Sequence, residues 1–359
     1  MTVLYVREQG AVVRRMAEEL RVTLDERVLA RTPVREVEQV VLLGNVQLTT
    51  QAAALLLQQE VDIVFLSYSG GFRGRLGKDG SRFARLRHAQ LQISGDEHRS
   101  LALALSLVRA KLANQRELLQ ELAGRVDGAG QDGRRRMAFA LAAQRIDAMR
   151  RAAGSATTPD MLRGYEGKAA AFYFEALGTL LDPSWSFQGR KYYPPPDPFN
   201  AALSFGYALL QKDISAAIQL VGLDPYLGCF HALEYGRPSL VLDLMEEFRP
   251  AVVDWTVLDL VLSGKMRPRD FTFTGQQARP VELGPTLMPV LVNAYEARAG
   301  SQTAHAASGT HTSFRRCFEL QARIFARVVL GGRAEYGGAT PILPELPDGR
   351  PGRADEPDL

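Results

Sequence analysis

The feature that most limits what this chain can fold into is a change of hydrophobic period at Lys78-Asp79-Gly80-Ser81. Before it, residues 2–6, 11–13, 20–24 and 34–43 are short β-branched or alternating apolar runs broken by polar turns, and 61–66 is a continuous apolar run. Such runs suit strands, whose side chains point alternately to opposite faces. A helix-like stretch at 50–59 interrupts them, and Ser67 to Gly74, with three glycines, reads as a loop or hairpin. Beyond the break the spacing becomes helical and stays so to about residue 330. Helices are expected over 82–94, 97–124, 133–153, 159–181, 198–221, 238–248, 251–263, 280–299 and 313–330. The pattern predicts an α+β chain with a β-rich domain at 1–79 and a larger all-helical domain at 82–335. From Gly331 glycine, proline and acids take over, and 337–359 is expected to be a flexible acidic tail.

Composition removes several classes. Only Cys229 and Cys317 are present, far apart and without CxxC spacing, so neither a disulfide framework nor a structural zinc site is indicated. Glu8, Arg14 and Arg15 interrupt the first apolar stretches, and the run Leu101 to Val108 stops at Arg109. These features predict no export signal, no membrane span and a cytoplasmic protein. The net charge of +3 understates the basic character: residues 345–359 hold five acids and two arginines, and the remainder has 41 bases against 35 acids. Arginine dominates the bases, which suits phosphate contact, although arginine richness also follows from GC-rich coding.

Three places with ionisable side chains stand out against this pattern. In the helix that begins at Thr158-Pro159, Leu162, Glu166, Ala169, Ala170, Tyr173 and Leu177 share one face. Glu166 thus lies in the stripe that should face the core, where an uncompensated carboxylate costs several kcal/mol. It needs either an arginine across the interface or a bound cation. After Pro238, the residues Val241, Leu244, Met245 and Phe248 define a buried side, while Ser239, Asp243, Glu246 and Glu247 gather opposite, within about 100° of one another. That cluster is either a solvated face or a set of carboxylates awaiting a cation. His231 lies in the irregular segment between Gly222 and Pro238, where a histidine is either structural or a ligand. One imidazole and two or more carboxylates form a donor set that suits Mg²⁺ or Mn²⁺ better than Zn²⁺.

The local strings carry more information. Gly164-Tyr165-Glu166-Gly167-Lys168-Ala169-Ala170 resembles a helix of the CRISPR-associated endonuclease/integrase family, the core enzymes of spacer acquisition. Pro194-Pro195-Pro196-Asp197-Pro198-Phe199-Asn200-Ala201-Ala202 resembles that family's proline-rich entry into a helix. His231, followed by Tyr235-Gly236-Arg237-Pro238-Ser239-Leu240 and by Asp243-Leu244-Met245-Glu246-Glu247-Phe248-Arg249-Pro250, resembles its most diagnostic stretch. The resemblance extends to about residue 330.

It implies a β-sandwich-like N-terminal domain and a helical catalytic domain. Glu166, His231 and Glu246 match the family's metal ligands, and Asp243 matches an acidic position beside the metal. The implied reaction is attack of a DNA 3′-hydroxyl on a phosphodiester of a repeat array, or hydrolysis of such a bond by water. The implied partners are double-stranded prespacer and repeat DNA, a second copy of the chain in a homodimer, and a small companion protein completing a heterohexamer. An accessory nuclease that trims ends is a further implied partner. Arg190, Lys191, Arg237, Arg249, Lys265 and Arg267 flank these strings and are candidates for phosphate contact, with Tyr192 or Tyr193 stacking on an unpaired base. The alternative reading is a DNA-binding scaffold of the same fold without chemistry.

Overall fold

The computed structural model describes residues 2–68, 72–77, 83–125 and 130–340. Chain contacts divide it into two compact units, Met1–Arg82 and Phe83–Leu359. The expected boundary at Lys78-Asp79-Gly80-Ser81 and residues 341–359 of the expected tail lie outside the described residues.

The first unit contains β1 (Thr2–Val6), β2 (Val12–Met16), β3 (Glu19–Leu24), β4 (Arg27–Pro33), β5 (Val37–Leu43), β6 (Gln47–Leu48), α1 (Thr50–Gln58), β7 (Asp62–Leu66) and β8 (Phe72–Leu76). Two four-stranded sheets form, in the orders β1-β5-β7-β8 and β4-β3-β2-β6. β1, β5 and β7 run parallel, with Val40 opposite Leu4 and Ile63. Parallel neighbours require a crossover, and α1 lies in the connection from β5 to β7. The Thr49 side chain caps α1 by accepting from the Ala52 N–H at 3.4 Å. Val13, Leu20, Val22, Val40, Leu42, Leu55, Leu56 and Ile63 share one buried core, so both sheets and α1 bury their apolar faces together. β4 was not expected as a separate strand. Its burial alternates, but Leu29 lies on the exposed side and Thr32 on the inner one, so no apolar–polar alternation marks it in the sequence.

The second unit runs α2 (Ala84–Ser94), α3 (Glu97–Arg125), α4 (Gly130–Ala152), α5 (Pro159–Gly178), α6 (Pro198–Val221), α7 (Ser239–Met245) and α8 (Trp255–Leu262), then a hairpin β9 (Phe271–Phe273)–β10 (Val281–Leu283). It continues with α9 (Leu287–Gly300), a second hairpin β11 (Gln302–His305)–β12 (Thr310–Ser313), and α10 (Phe314–Val329). The fold is therefore the expected strand-rich part followed by a helical part, and the two small hairpins are additions to the all-helical expectation. The strand over 281–283 replaces the first turn of the helix expected at 280–299. The single helix expected over 238–248 ends at Met245, and a wide π turn at Arg249–Asp254 leads into α8.

α6 forms the centre. Asp197 caps it by accepting from the Asn200 N–H at 2.9 Å, Pro198 occupies its first turn, and Gly222 ends it at φ +94°. Gly222 also has no alternative, because a Cβ there would run into the Phe83 ring. The described stretch after α10 is held as well. Tyr336 and Ala339 are buried, and Asn114 Nδ2 donates to the carbonyls of Glu247 at 2.6 Å and Ala339 at 2.9 Å. The tail expected from residue 337 thus begins no earlier than residue 340, because these backbone groups are bonded inside the helical unit.

Candidate active site

Four separate stretches of the chain converge on a cluster of charged side chains. α3 supplies Lys111, α5 supplies Glu166, the 222–238 segment supplies His231, and the end of α7 supplies Asp243 and Glu246.

The irregular segment is pinned in place before it reaches His231. Gln90 Nε2 donates to the carbonyls of Asp224 and Leu227 at 2.8 Å each, Ser94 Oγ to that of Gly228 at 3.1 Å, and Ser100 Oγ to that of Cys229 at 3.1 Å. Gly228 crosses α7 so closely that a Cβ would meet Asp243 Oδ2 at 2.6 Å and the Ser239 backbone at 2.8 Å. This approach lets the fully buried Asp243 carboxylate accept from the N–H groups of Cys229 (2.6 Å), Phe230 (3.0 Å) and His231 (2.9 Å). The same carboxylate meets His231 Nδ1 at 2.7 Å. A carboxylate is an acceptor, so Nδ1 carries a proton, and in the neutral ring this leaves Nε2 with its lone pair. Nε2 faces Glu246 Oε1 at 3.9 Å.

Lys111 ties the remaining acids together. Its buried ammonium is in ionic contact with both Glu166 and Glu246. Glu246 also meets Arg249 Nε at 3.3 Å. Burial raises the Glu246 carboxyl, but the Arg249 guanidinium and the Lys111 ammonium more than offset this and hold it down at about 2. Burial lowers the Lys111 ammonium, yet Glu246 and Glu166 leave it above its ordinary range. Glu246 Oε2 is buried and, although in ionic contact with Lys111, has no hydrogen bond of good geometry. Among the described residues, no three histidine, cysteine or acidic side chains stand close enough together to cage a metal ion as placed. The ammonium stands where two carboxylates would otherwise face each other.

Two of the alternatives left open by the helical wheel are removed here. Ser239, Asp243, Glu246 and Glu247 are not a solvated face: all four are buried. Glu247 turns away from Glu246 to accept from Tyr336 Oη, from the Ala339 N–H and from Gln321 Nε2 at 2.9 Å. Burial pushes its carboxyl up to about 7 despite those bonds. Nor is Glu166 met by an arginine; its partner is Lys111. That lysine was not singled out in the sequence, although the signal is present. Ala104, Leu107, Val108, Lys111, Gln115, Leu118 and Leu122 form one buried stripe of α3, so Lys111 violates the pattern as Glu166 does.

A cleft of about 830 Å³ opens beside Glu166, walled by α5 at Ala170 and Phe174 and by the segment from Phe187 to Tyr192. The proline-rich entry explains how that wall is held. Asn200 Oδ1 accepts from Arg190 Nη1 at 2.8 Å and from the Lys191 N–H at 2.9 Å, and its Nδ2 donates to the Gly189 carbonyl at 3.0 Å. Arg190 lies over the Tyr192 ring at 4.6 Å and the Tyr207 ring at 5.3 Å, and Arg249 also lies over the Tyr207 ring, at 4.6 Å. Among the DNA candidates, Arg190 and Lys191 thus line the cleft, and Tyr192 and Tyr193 are exposed. Arg249 is instead drawn into the acid cluster, and Arg237 pairs with Glu234 at 3.0 Å. Lys265 and Arg267 are exposed on the turn after α8.

A family model described as CRISPR associated protein Cas1 matches residues 4–297. The chain belongs to the Cas1 family. It is 34% identical over 336 residues to the CRISPR-associated endonuclease Cas1 3 of Thermus thermophilus, covering 93% of this chain and 96% of that protein. It is 36% identical over 339 residues to a CRISPR-associated exonuclease Cas4/endonuclease Cas1 fusion of Rhodospirillum rubrum; there the match covers 93% of this chain but 56% of the fusion, so the chain spans little more than half of that relative. In architecture it is similar to a casposase bound to an integration product, with a TM-score of 0.78 at 21% identity over 98% of this chain and 96% of that one. At that identity the likeness is one of fold. No helix among the described residues is long and apolar enough to cross a membrane.

Proposed function

We propose that this chain is a metal-dependent DNA endonuclease and integrase of CRISPR adaptation, which captures prespacer DNA and joins it to a repeat array. The observation that carries this reading is the convergence of His231, Glu166 and Glu246 on one half-buried charged cluster, with Asp243 orienting the imidazole. The endonuclease named for the Thermus relative and the integration product in the structural neighbour support the reaction class.

The donor set fits a hard divalent ion. It offers two carboxylates, one of them with a buried oxygen outside good hydrogen-bond geometry, and an imidazole Nε2 freed by the Nδ1–Asp243 bond. Glu166, His231 and Glu246 would hold Mg²⁺ or Mn²⁺, which when bound supplies Lewis-acid activation of the scissile phosphate and lowers the pKa of the attacking hydroxyl. Asp243 acts through His231: it fixes ring orientation and tautomer. Arg190 and Lys191 on the cleft wall attract the DNA backbone, and Tyr192 offers an exposed ring for an unpaired base. The 3′-hydroxyl oxygen forms the new bond to phosphorus as the old phosphorus–oxygen bond breaks, the proton it gives up to water being matched by one the departing oxygen takes up, so no protein nucleophile is needed.

In this reading the chain works as a homodimer, with a small companion protein in a heterohexamer on double-stranded DNA. The Cas4 exonuclease portion of the Rhodospirillum fusion supports an end-trimming partner. The test is a strand-transfer assay with labelled duplex, repeat DNA and Mn²⁺. Glu166→Ala and His231→Ala are expected to abolish cleavage and joining while circular dichroism stays native. Full activity in both variants would remove these residues from the reaction, and DNA binding without any joining in the parent chain would favour a scaffold.

A further inference from the structure

The two carboxylates assigned to the metal are already neutralised, with the charge of Asp243 met separately by three backbone N–H groups and His231. Glu166 and Glu246 contribute two negative charges, and Lys111 and Arg249, both in contact with Glu246, contribute two positive ones. A divalent ion added to that set would bring two surplus positive charges into a buried region, where like charges interact strongly. Of the two resident cations, Arg249 is fixed more firmly. It is inserted between Glu246 and the Tyr207 ring, at 3.3 and 4.6 Å. Lys111 reaches the cluster on a flexible stem from α3, a helix locked one turn further on by Asn114. Its ammonium contacts both carboxylates assigned to the metal, and so it lies in the metal's own place.

We propose that Lys111 is the resident counter-cation of the metal site: it neutralises Glu166 and Glu246 in the metal-free protein and must be displaced when the divalent ion binds. This rests on the metal assignment made above. Lys111 is then a positioning residue that sets metal affinity. It keeps the two carboxylates together in the absence of metal, and it makes the ion bind weakly until something else accepts the ammonium.

The test is direct titration of the full chain with Mn²⁺ by calorimetry, without DNA. His231→Ala is expected to lose the isotherm, and Lys111→Met to bind Mn²⁺ about ten-fold or more tightly than the parent chain, since the competing cation is gone. Thermal unfolding with and without Mn²⁺ gives a second readout should Lys111→Met be too unstable for calorimetry. The Mn²⁺-induced rise in Tm is expected to be larger in Lys111→Met than in the parent, and Lys111→Arg, which keeps the charge, is expected to retain the parent's smaller rise. If His231→Ala loses the isotherm but Lys111→Met binds Mn²⁺ no more tightly than the parent, the counter-cation role is overturned and the metal site stands. If His231→Ala keeps the parent isotherm, the metal does not bind here and both readings fall.

Discussion

Asp243 holds His231 twice, by the backbone N–H at 2.9 Å and by imidazole Nδ1 at 2.7 Å. One carboxylate therefore sets both the course of the loop and the tautomer of the ring it carries. Because the same group also accepts from Cys229 and Phe230, the carboxylate that orients the imidazole is itself held by the backbone of that segment.

Replacing Asp243 by Asn tests that arrangement. The amide nitrogen cannot accept, so at least one N–H among Cys229, Phe230 and His231 loses its partner while buried, at a cost of about 1–3 kcal/mol. Loss of the ring's orientation is expected to weaken Mn²⁺ binding by about 10–100-fold. Urea denaturation and calorimetry would check the two effects. Unaltered Mn²⁺ affinity in Asp243→Asn would mean that Asp243 does not act through the imidazole.

Asp254, eight residues after Glu246, gives a separate pH signature. Tyr207 Oη donates to it at 2.6 Å and Tyr173 Oη at 2.9 Å, yet burial pushes its carboxyl from 3.8 up to about 6. Between about pH 4 and 6 the folded chain keeps a proton that the unfolded chain has released. The contribution of Asp254 to stability therefore falls as pH rises through that window, by up to about 3 kcal/mol. Asp254→Asn cannot ionise, so the parent's stability should decline relative to the variant's from pH 4 to 6 and run parallel above. Denaturation curves whose difference stays constant with pH would refute this.

The C-terminal strap is expected to matter for stability, and the residues after it are not. Ending the chain at residue 335 removes Tyr336 and Ala339 from Glu247 and Asn114, leaving a buried carboxylate and amide short of partners. Tyr336→Phe alone should cost about 1–3 kcal/mol. A chain ending at residue 340 should melt with the full-length protein. Equal melting temperatures for the 335 and 340 truncations would show that the strap contributes nothing.

DNA affinity should fall steeply with salt. If Arg190, Lys191, Lys265 and Arg267 each neutralise one phosphate, the slope of log K against log salt is about −3 to −4. Lys191→Ala should reduce its magnitude by about one. Filter-binding or anisotropy titrations measure this, and a flat response would remove the backbone-led interface.

Much of the architecture is legible in one dimension because its causes are local. Strand and helix periods differ, Thr158-Pro159 and Asp197-Pro198 announce helix starts, and Gly222 announces an end. Where the local signal is absent, the reading fails for a physical reason. β4 sets Leu29 on its exposed side and Thr32 on its inner one, and β9 to β12 are only three or four residues long, too short to establish a period.

The candidate site divides in the same way. Sequence alone determined that Glu166 sits on a core-facing stripe and therefore needs a positive partner, and that His231, Asp243 and Glu246 stand in a diagnostic order. Only the tertiary structure decided what that partner is and which acids share it. A helical wheel registers a residue's own helix and nothing packed against it, so it could not show that α7 is enclosed on the side where its acids gather. The loop at Gly228, the strap at Tyr336–Ala339 and Lys111 on α3 come from distant parts of the chain. Only their arrival turns what the wheel presents as a solvated face into a buried set of charges.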